Sequence, residues 1–359
     1  MRRTFYLELA RRGLRMPIGT DLVLHEKDDI AGILVDAYRL GQVVEEAARR
    51  YRTPLAIPHM DLMIEKTAML ELLDVPAEQI PTYHFSAPPS VEMVEAVRRR
   101  LYETPLNSRI QAQAGSVAYI AQHTDLLPIG MTIGPFSLMT KLIADPIAPI
   151  YLAGMGITAE EDPEVQMVET TLDLSMMVIL RSMEAQIEAG ARAIFIAEPA
   201  ANKVYISPKQ MEQGSDIFER MVMRYLRRVK ALLDERGVDL IFHCCGELTD
   251  EMVRAYASLE PVILSLGSSR VLWEDARLVP KHVVLYGNLP SKRFYSDELV
   301  TREQVEQLAC ELLRRMREVG HPFILGSECD VLSVQGCERT IKEKVQAFVN
   351  CECGQQGQW

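Results

Sequence analysis

The chain has 359 residues, with 39 Lys+Arg against 50 Asp+Glu, a formal net charge of −11, and 48% hydrophobic residues. This balance excludes a collagen-like, disordered or disulfide-dense chain, and the acidic excess opposes nucleic-acid binding, which wants a basic face. The longest uncharged stretch, residues 126–140, falls short of the ~20 apolar residues of a bilayer span and contains Pro128, Gly130, Gly134 and Pro135. Neither nucleic acid nor membrane is therefore expected as a partner. The N-terminus is basic, but its apolar run is too short for a signal peptide. Seven cysteines, an odd number without an export signal, fit a reducing cytoplasm.

Along the chain, a short apolar run, a polar or glycine-bearing tip and a longer amphipathic stretch recur. The runs cover 16–24, 54–60, 128–134, 193–197, 238–242, 262–266, 282–286 and 322–326. Most are continuous and rich in Ile, Val, Leu or Phe, as parallel strands buried on both faces require. Helix-like stretches cover 30–51, 169–189, 208–236 and 301–319. Thr301 opens the last with an N-cap pattern, and Gly190, Gly237 and Gly320 stand where C-caps belong. Residues 81–122 and 143–163 read as insertions. Eight strands alternating with helices predict an α/β fold, a (β/α)8 TIM barrel. It is expected as a single domain over 1–349 with an N-terminal helical extension and insertions, then a polar tail over 350–359. The open doubly wound alternative lacks a G-x-G-x-x-G after any strand. In a barrel, polar residues just after the strands gather at the catalytic face.

The sharpest local feature is Phe242-His243-Cys244-Cys245-Gly246. Side chains alternate along a strand, so His243 and Cys245 project to one side and Cys244 to the other. An imidazole and a thiolate at i, i+2 form a two-point metal clamp, and barrel closure can bring Cys329, after the run 322–326, to the same place. Two thiolates and one imidazole suit Zn²⁺. The bland reading stands beside this one: a His-x-Cys pair is short, and cysteine is among the most often buried residues.

Glu198, just after the run 193–197, is a catalytic candidate, either as a fourth ligand displaced by substrate or as a proton acceptor. A carboxylate capping the barrel mouth is the structural alternative. Asn288 is a second candidate, for a hydrogen bond to His243 or to a polar substrate, with a loop-holding amide as its alternative. Asp61 and Glu65 fall near a strand tip, where they meet ligand or solvate a loop. Glu247 and Glu328 flank the metal candidates as tuning charges or as a solvated rim. Cys244 and Cys310 read as core thiols, Cys337 as semi-exposed, and Cys351 and Cys353 as a C-x-C in a mobile tail.

His243-Cys244-Cys245-Gly246, then Gly287-Asn288-Leu289, then Cys329 resembles the H-x-C-G … G-N-L … C pattern of zinc-dependent corrinoid methyltransferases. These belong to the uroporphyrinogen decarboxylase superfamily, and the resemblance is to the methylcobamide:coenzyme M branch. Gly134-Pro135-Phe136, Glu198-Pro199 and Ile206-Ser207-Pro208 also match, and the resemblance runs from about residue 16 to 349. It implies zinc on His243, Cys245 and Cys329, catalytic roles for Glu198 and Asn288, and substrate contacts from Asp61, Gly134, Phe136 and Glu198. It further implies methyl transfer between a methylcobalamin-type corrinoid and a thiol such as coenzyme M, through a zinc-bound thiolate. The chain shows no D-x-H-x-x-G loop, so the corrinoid is expected on a separate small corrinoid protein. A homodimer is left open.

Three alternatives remain at this point. One is a component that demethylates a methoxylated or otherwise methylated substrate onto cob(I)alamin. Another is a decarboxylase of the same superfamily, which needs an arginine-bearing motif after the first strand. Here residues 17–24 read Pro-Ile-Gly-Thr-Asp-Leu-Val-Leu, with no such grip on carboxylates. The third is a non-catalytic zinc or corrinoid-binding protein, which calls for a closed four-ligand site.

Overall fold

In the computed structural model of the chain, residues 3–353 are described. Eight parallel strands form one curved ladder: β1 (Arg15–Ile18), β2 (Leu55–Ala56), β3 (Leu127–Ile133), β4 (Ala193–Ala197), β5 (Asp239–Cys244), β6 (Ile263–Leu266), β7 (Val284–Leu289) and β8 (Phe323–Asp330). Neighbours follow the order β1-β8-β7-β6-β5-β4-β3-β2. The two end strands are joined by side chains. Thr20 Oγ1 donates to the Ile57 carbonyl at 2.6 Å, and Thr53 Oγ1 to the Met16 sulfur at 3.1 Å. With helices returning between the strands, the architecture is the (β/α)8 TIM barrel that the periodicity predicts.

Several boundaries differ from the sequence reading, each for a local reason. The first run stops being a strand at Ile18, and Thr20–Leu24 is helical. The stretch 30–51 is two helices, Ile30–Ile33 and Ala37–Arg50, because the Asp36 carboxylate accepts from the Tyr38 and Arg39 N–H groups and starts a new one. The stretch 208–236 is broken into Pro208–Glu212, a π-helical turn Glu219–Met223 and Arg224–Glu235, with Gly214 at φ 89 in the break. Arg302–Val319 has the expected ends: a capping box from Thr301 and Gln304, and Gly320 at φ 62.

Alternation along the strands divides the apolar residues into two layers. Ile129, Phe195, Ile241, Ile263, Tyr286 and Ile324 fill the barrel, while their neighbours in sequence pack outward on the helices. The N-terminal helix Arg3–Arg11 adds Tyr6, Leu9 and Ala10 to the inner cluster. Tyr6 donates to the Asp239 carboxylate at 3.2 Å, at the start of β5. The Arg3 guanidinium donates to the carbonyls of Glu260, Pro261 and His282, which precede β6 and β7. This helix therefore stoppers the N-terminal end, and the barrel opens at the C-terminal ends of its strands.

The C-terminal segment is tied down. Helix Arg302–Val319 packs on helix Glu338–Val349, which brings Cys353 to Cys310, and the two form a disulfide with a Cα–Cα distance of 5.2 Å. Cys310 is thus not the free core thiol expected of it: sequence spacing alone does not pair residues 43 apart. Cys351 is buried, and the Arg15 guanidinium donates to the carbonyls of Cys351 and Cys353. The rest of the expected mobile tail, 354–359, lies outside the described residues. Among the described residues, no helix is long and apolar enough to cross a membrane.

Candidate metal centre

β5 delivers the first two candidate ligands by alternation. Ile241 belongs to the inner cluster, and the His243 ring lies 5.6 Å from the Phe195 ring inside the barrel. Phe242 and Cys244 point outward, Phe242 against Tyr256 and Cys244 toward the Ala201 carbonyl. Cys245 follows at the strand tip. The next loop comes against it because Gly267 has no side chain; a Cβ there would stand 2.6 Å from the Cys245 carbonyl oxygen.

Cys329 arrives by a device that the sequence reading missed. The run 322–326 is part of a longer strand, and β8 is bulged against β1: Met16 pairs with Gly326, yet Ile18 pairs with Asp330. Three residues of β8 thus oppose Pro17, which has no N–H to donate. Ser327 Oγ takes over the ladder, accepting the Ile18 N–H at 3.0 Å. Bulges re-aim side chains, and this one carries Cys329. The ligating atoms of His243, Cys245 and Cys329 all lie within 4.8 Å of one another.

The polar surroundings fit a metal. His243 Nδ1 lies 2.8 Å from Ser265 Oγ on β6, while its Nε2 is buried with no hydrogen-bond partner. A ring that donates Nδ1–H to Ser265 presents the Nε2 lone pair to a cation, the usual arrangement behind a metal-bound imidazole. The Cys245 thiol is held well below the ordinary range because Cys329 hydrogen-bonds to it. Burial opposes that shift, and the Lys292 charge adds to it. The same shared proton and burial push Cys329 up. One sulfur is therefore poised as a thiolate beside the unpartnered imidazole nitrogen, and soft donors of this kind suit zinc.

The other sequence candidates lie elsewhere around the mouth. Glu198 is fully buried, and its two oxygens accept the N–H groups of Ser137 at 2.6 Å and Phe136 at 3.2 Å. It caps the turn that opens helix Pro135–Thr140, and Gly134 is required there because a Cβ would strike the carboxylate. Burial pushes Glu198 up to about 7, against the pull of the Ser137 and Phe136 donors. Phe136 is buried edge-on to Tyr205. The Asn288 amide donates to the Gly267 and Arg270 carbonyls, both at 2.8 Å, and so holds the loop beneath Cys245. Asp61 pairs with Arg109 at 2.6 Å and accepts the Met63 N–H. Glu65 is fully buried against Ser182 and pushed up to about 8 by burial. The structure thus brings together the three metal candidates and leaves Glu198 and Asp61 outside that group.

Ser265, Ser268 and Lys292 went unnoticed in the sequence. Ser265 carried a usable signal, as the polar residue in the apolar run 262–266. Lys292 carried none, because lysines after strands are common.

A methyltransferase from Methanosarcina mazei superposes with a TM-score of 0.64 at 15% sequence identity, covering 96% of this chain and 98% of that one. At that identity the likeness is one of fold. No curated protein matches the sequence. The family model described as uroporphyrinogen decarboxylase (URO-D) matches residues 36–351, from just before helix Ala37–Arg50 to just past helix Glu338–Val349. The chain belongs to the uroporphyrinogen decarboxylase family.

Proposed function

We propose that this chain is a methyltransferase that holds zinc on His243, Cys245 and Cys329 and passes a methyl group from a methyl-corrinoid to a thiol such as coenzyme M. The observation that carries this reading is the convergence of two sulfurs with a buried, unpartnered imidazole nitrogen at the open end of the barrel. Bound there, the ion would supply a Lewis acid that keeps a substrate thiol deprotonated and nucleophilic. The attacking sulfur forms the S–C bond as the cobalt–carbon bond breaks, and that electron pair stays on cobalt, giving cob(I) and a thioether. Ser265 orients the imidazole, Asn288 and Gly267 set the loop beneath Cys245, and the β8 bulge sets Cys329.

Further features support this reading over the decarboxylase and the non-catalytic zinc protein. Among the described residues the metal-binding group has three members, whereas a purely structural zinc site has four. A decarboxylase acting on a polycarboxylate needs free arginines. Yet Arg15 is bound at the opposite end of the barrel, and Arg109 and Arg270 are paired with Asp61 and with Asp250 and Asp275. Val35, Tyr151, Met155, Tyr295 and Leu332 are exposed on segments that follow the C-terminal ends of strands. Apolar side chains of this kind suit a small corrinoid protein that lowers its cofactor onto the mouth.

Metal content and turnover test the proposal together. Anaerobically purified protein should carry about one zinc per chain, Cys329→Ser and His243→Ala much less. Wild type should demethylate methylcobalamin in the presence of thiol, followed by the loss of the methyl-cobalt absorption. Equal, negligible zinc in all three proteins after metal is supplied would remove the mechanism.

A further inference from the structure

β8 ends in a carboxylate that the zinc site does not use. Past the bulge Asp330 pairs with Ile18, and paired residues of neighbouring parallel strands share a face. Ile18 belongs to the cluster that fills the barrel and Val331, the next residue, to the outer one, so Asp330 faces inward at the open end. It is only 6% exposed, and among the described residues neither of its carboxylate oxygens has a hydrogen-bond partner. Glu328, two residues earlier, is satisfied by contrast, its Oε2 accepting from the N–H and O–H of Ser268 at 3.0 and 2.6 Å. The donors around Asp330 are spent elsewhere. The Val331 N–H goes to the Ile18 carbonyl at 2.8 Å, the Ile18 N–H to Ser327 Oγ at 3.0 Å and the Tyr286 hydroxyl to the Met16 carbonyl at 3.0 Å.

A second carboxylate stands on the same edge. Residues 331–333 run beside 18–21, since the Ser333 N–H donates to Asp21 Oδ2 at 2.7 Å. Asp21 is buried and fixed, its Oδ1 3.2 Å from His59 Nε2. Among the described residues, histidines are the only basic side chains paired with Asp21, and none pairs with Asp330. A buried carboxyl group without a donor is costly, and a ligand that brings donors removes the cost. Two free acceptor oxygens fit an ammonium, which carries several N–H donors and a positive charge, whereas a sulfonate or carboxylate would add a further anion. We infer that Asp330, backed by Asp21, is the specificity-determining residue for the thiol acceptor and takes its cationic end, which makes that acceptor an aminothiol. The inference rests on the methyl-transfer reading above and narrows its acceptor, because the sulfonate of coenzyme M would face two carboxylates here. Asp330 makes and breaks no bond; sulfur alone takes the methyl group, and the amine keeps its protons.

The test offers three thiols that differ at one end, 2-aminoethanethiol, 2-mercaptoethanol and 2-mercaptoethanesulfonate, to the full chain supplied with zinc and methylcobalamin. The thiols also differ in acidity, so the quantity read is the ratio of their kcat/KM values in wild type against Asp330→Asn and Asp21→Asn. The advantage of the amine over the alcohol should be about tenfold or more in wild type, shrink towards one in Asp330→Asn and fall part of the way in Asp21→Asn. The sulfonate should be the poorest acceptor in wild type and gain on the other two in Asp330→Asn. Calorimetry with the thioethers 2-(methylthio)ethylamine and 2-(methylthio)ethanol, which needs no turnover, should show the same preference and the same loss. Should Asp330→Asn not fold, Asp21→Asn, on a different element, decides. A wild type that prefers the sulfonate, or an amine preference unchanged in the variants, would overturn the inference and leave the methyl-transfer reading standing. No methylation of any of the three thiols would overturn the reading beneath it, while the calorimetry would still judge Asp330.

Discussion

Two buried carboxyl groups show how residues near the mouth serve the scaffold. Glu65 has a folded-state pKa of about 8, raised by burial from an unfolded value near 4.5. Its contribution to stability is therefore fully present below about pH 4.5 and is lost as pH rises through 8. Between those limits unfolding releases one proton, a slope of up to about 1.4 kcal/mol per pH unit. Glu65→Gln keeps the shape of the neutral acid and should flatten that part of the profile, as urea midpoints at several pH values would show. Glu198 has a different task, since both its oxygens take backbone N–H donors. In Glu198→Gln one donor faces an amide N–H instead, and stability should fall by about 1–3 kcal/mol with zinc content unchanged. The metal candidates were legible because strand alternation fixes where His243 and Cys245 point. Ser265 and Lys292 were not, because their meaning depends on which strand lies next in space.

At the scale of elements, all eight strands were legible as apolar runs, because strands of a parallel barrel are buried on both faces. What the runs did not reveal was their ends. β8 continues four residues past its apolar part into Ser327, Glu328, Cys329 and Asp330, and polar residues at a strand tip read as loop. The bulge there answers the missing N–H of Pro17, a relation between strands that are 309 residues apart at the Ile18–Ser327 bond. The long helix at 208–236 failed for the opposite reason: helical periodicity continued through a break made by Gly214. The inner face beneath the bulge has little slack. A Cβ on Gly326 would run into the Tyr286 ring, whose hydroxyl donates to the Met16 carbonyl at 3.0 Å. Gly326→Ala should therefore cost about 1–3 kcal/mol in thermal or urea unfolding. Under the proposed zinc site it should also lower the zinc content, because the same strand carries Cys329.

For the whole molecule, the disulfide gives a direct count. Denatured but unreduced protein should alkylate at Cys244, Cys245, Cys329, Cys337 and Cys351, with Cys310 and Cys353 reacting only after reduction, as intact-mass spectrometry would read. The link closes a loop of 43 residues around the C-terminal helix pair, so Cys353→Ser should lower stability by about 2–4 kcal/mol. The opposite terminus has a kinetic meaning. With its interior filled by side chains and helix Arg3–Arg11 seated across the N-terminal end, the barrel is open only at its neck. In the proposed reaction donor, acceptor and product would share that neck, and a protein lying across it would cork everything beneath. Under the proposed chemistry, visits must therefore queue. The small thiol enters before the corrinoid protein covers the mouth, and the thioether leaves only after that protein has lifted away.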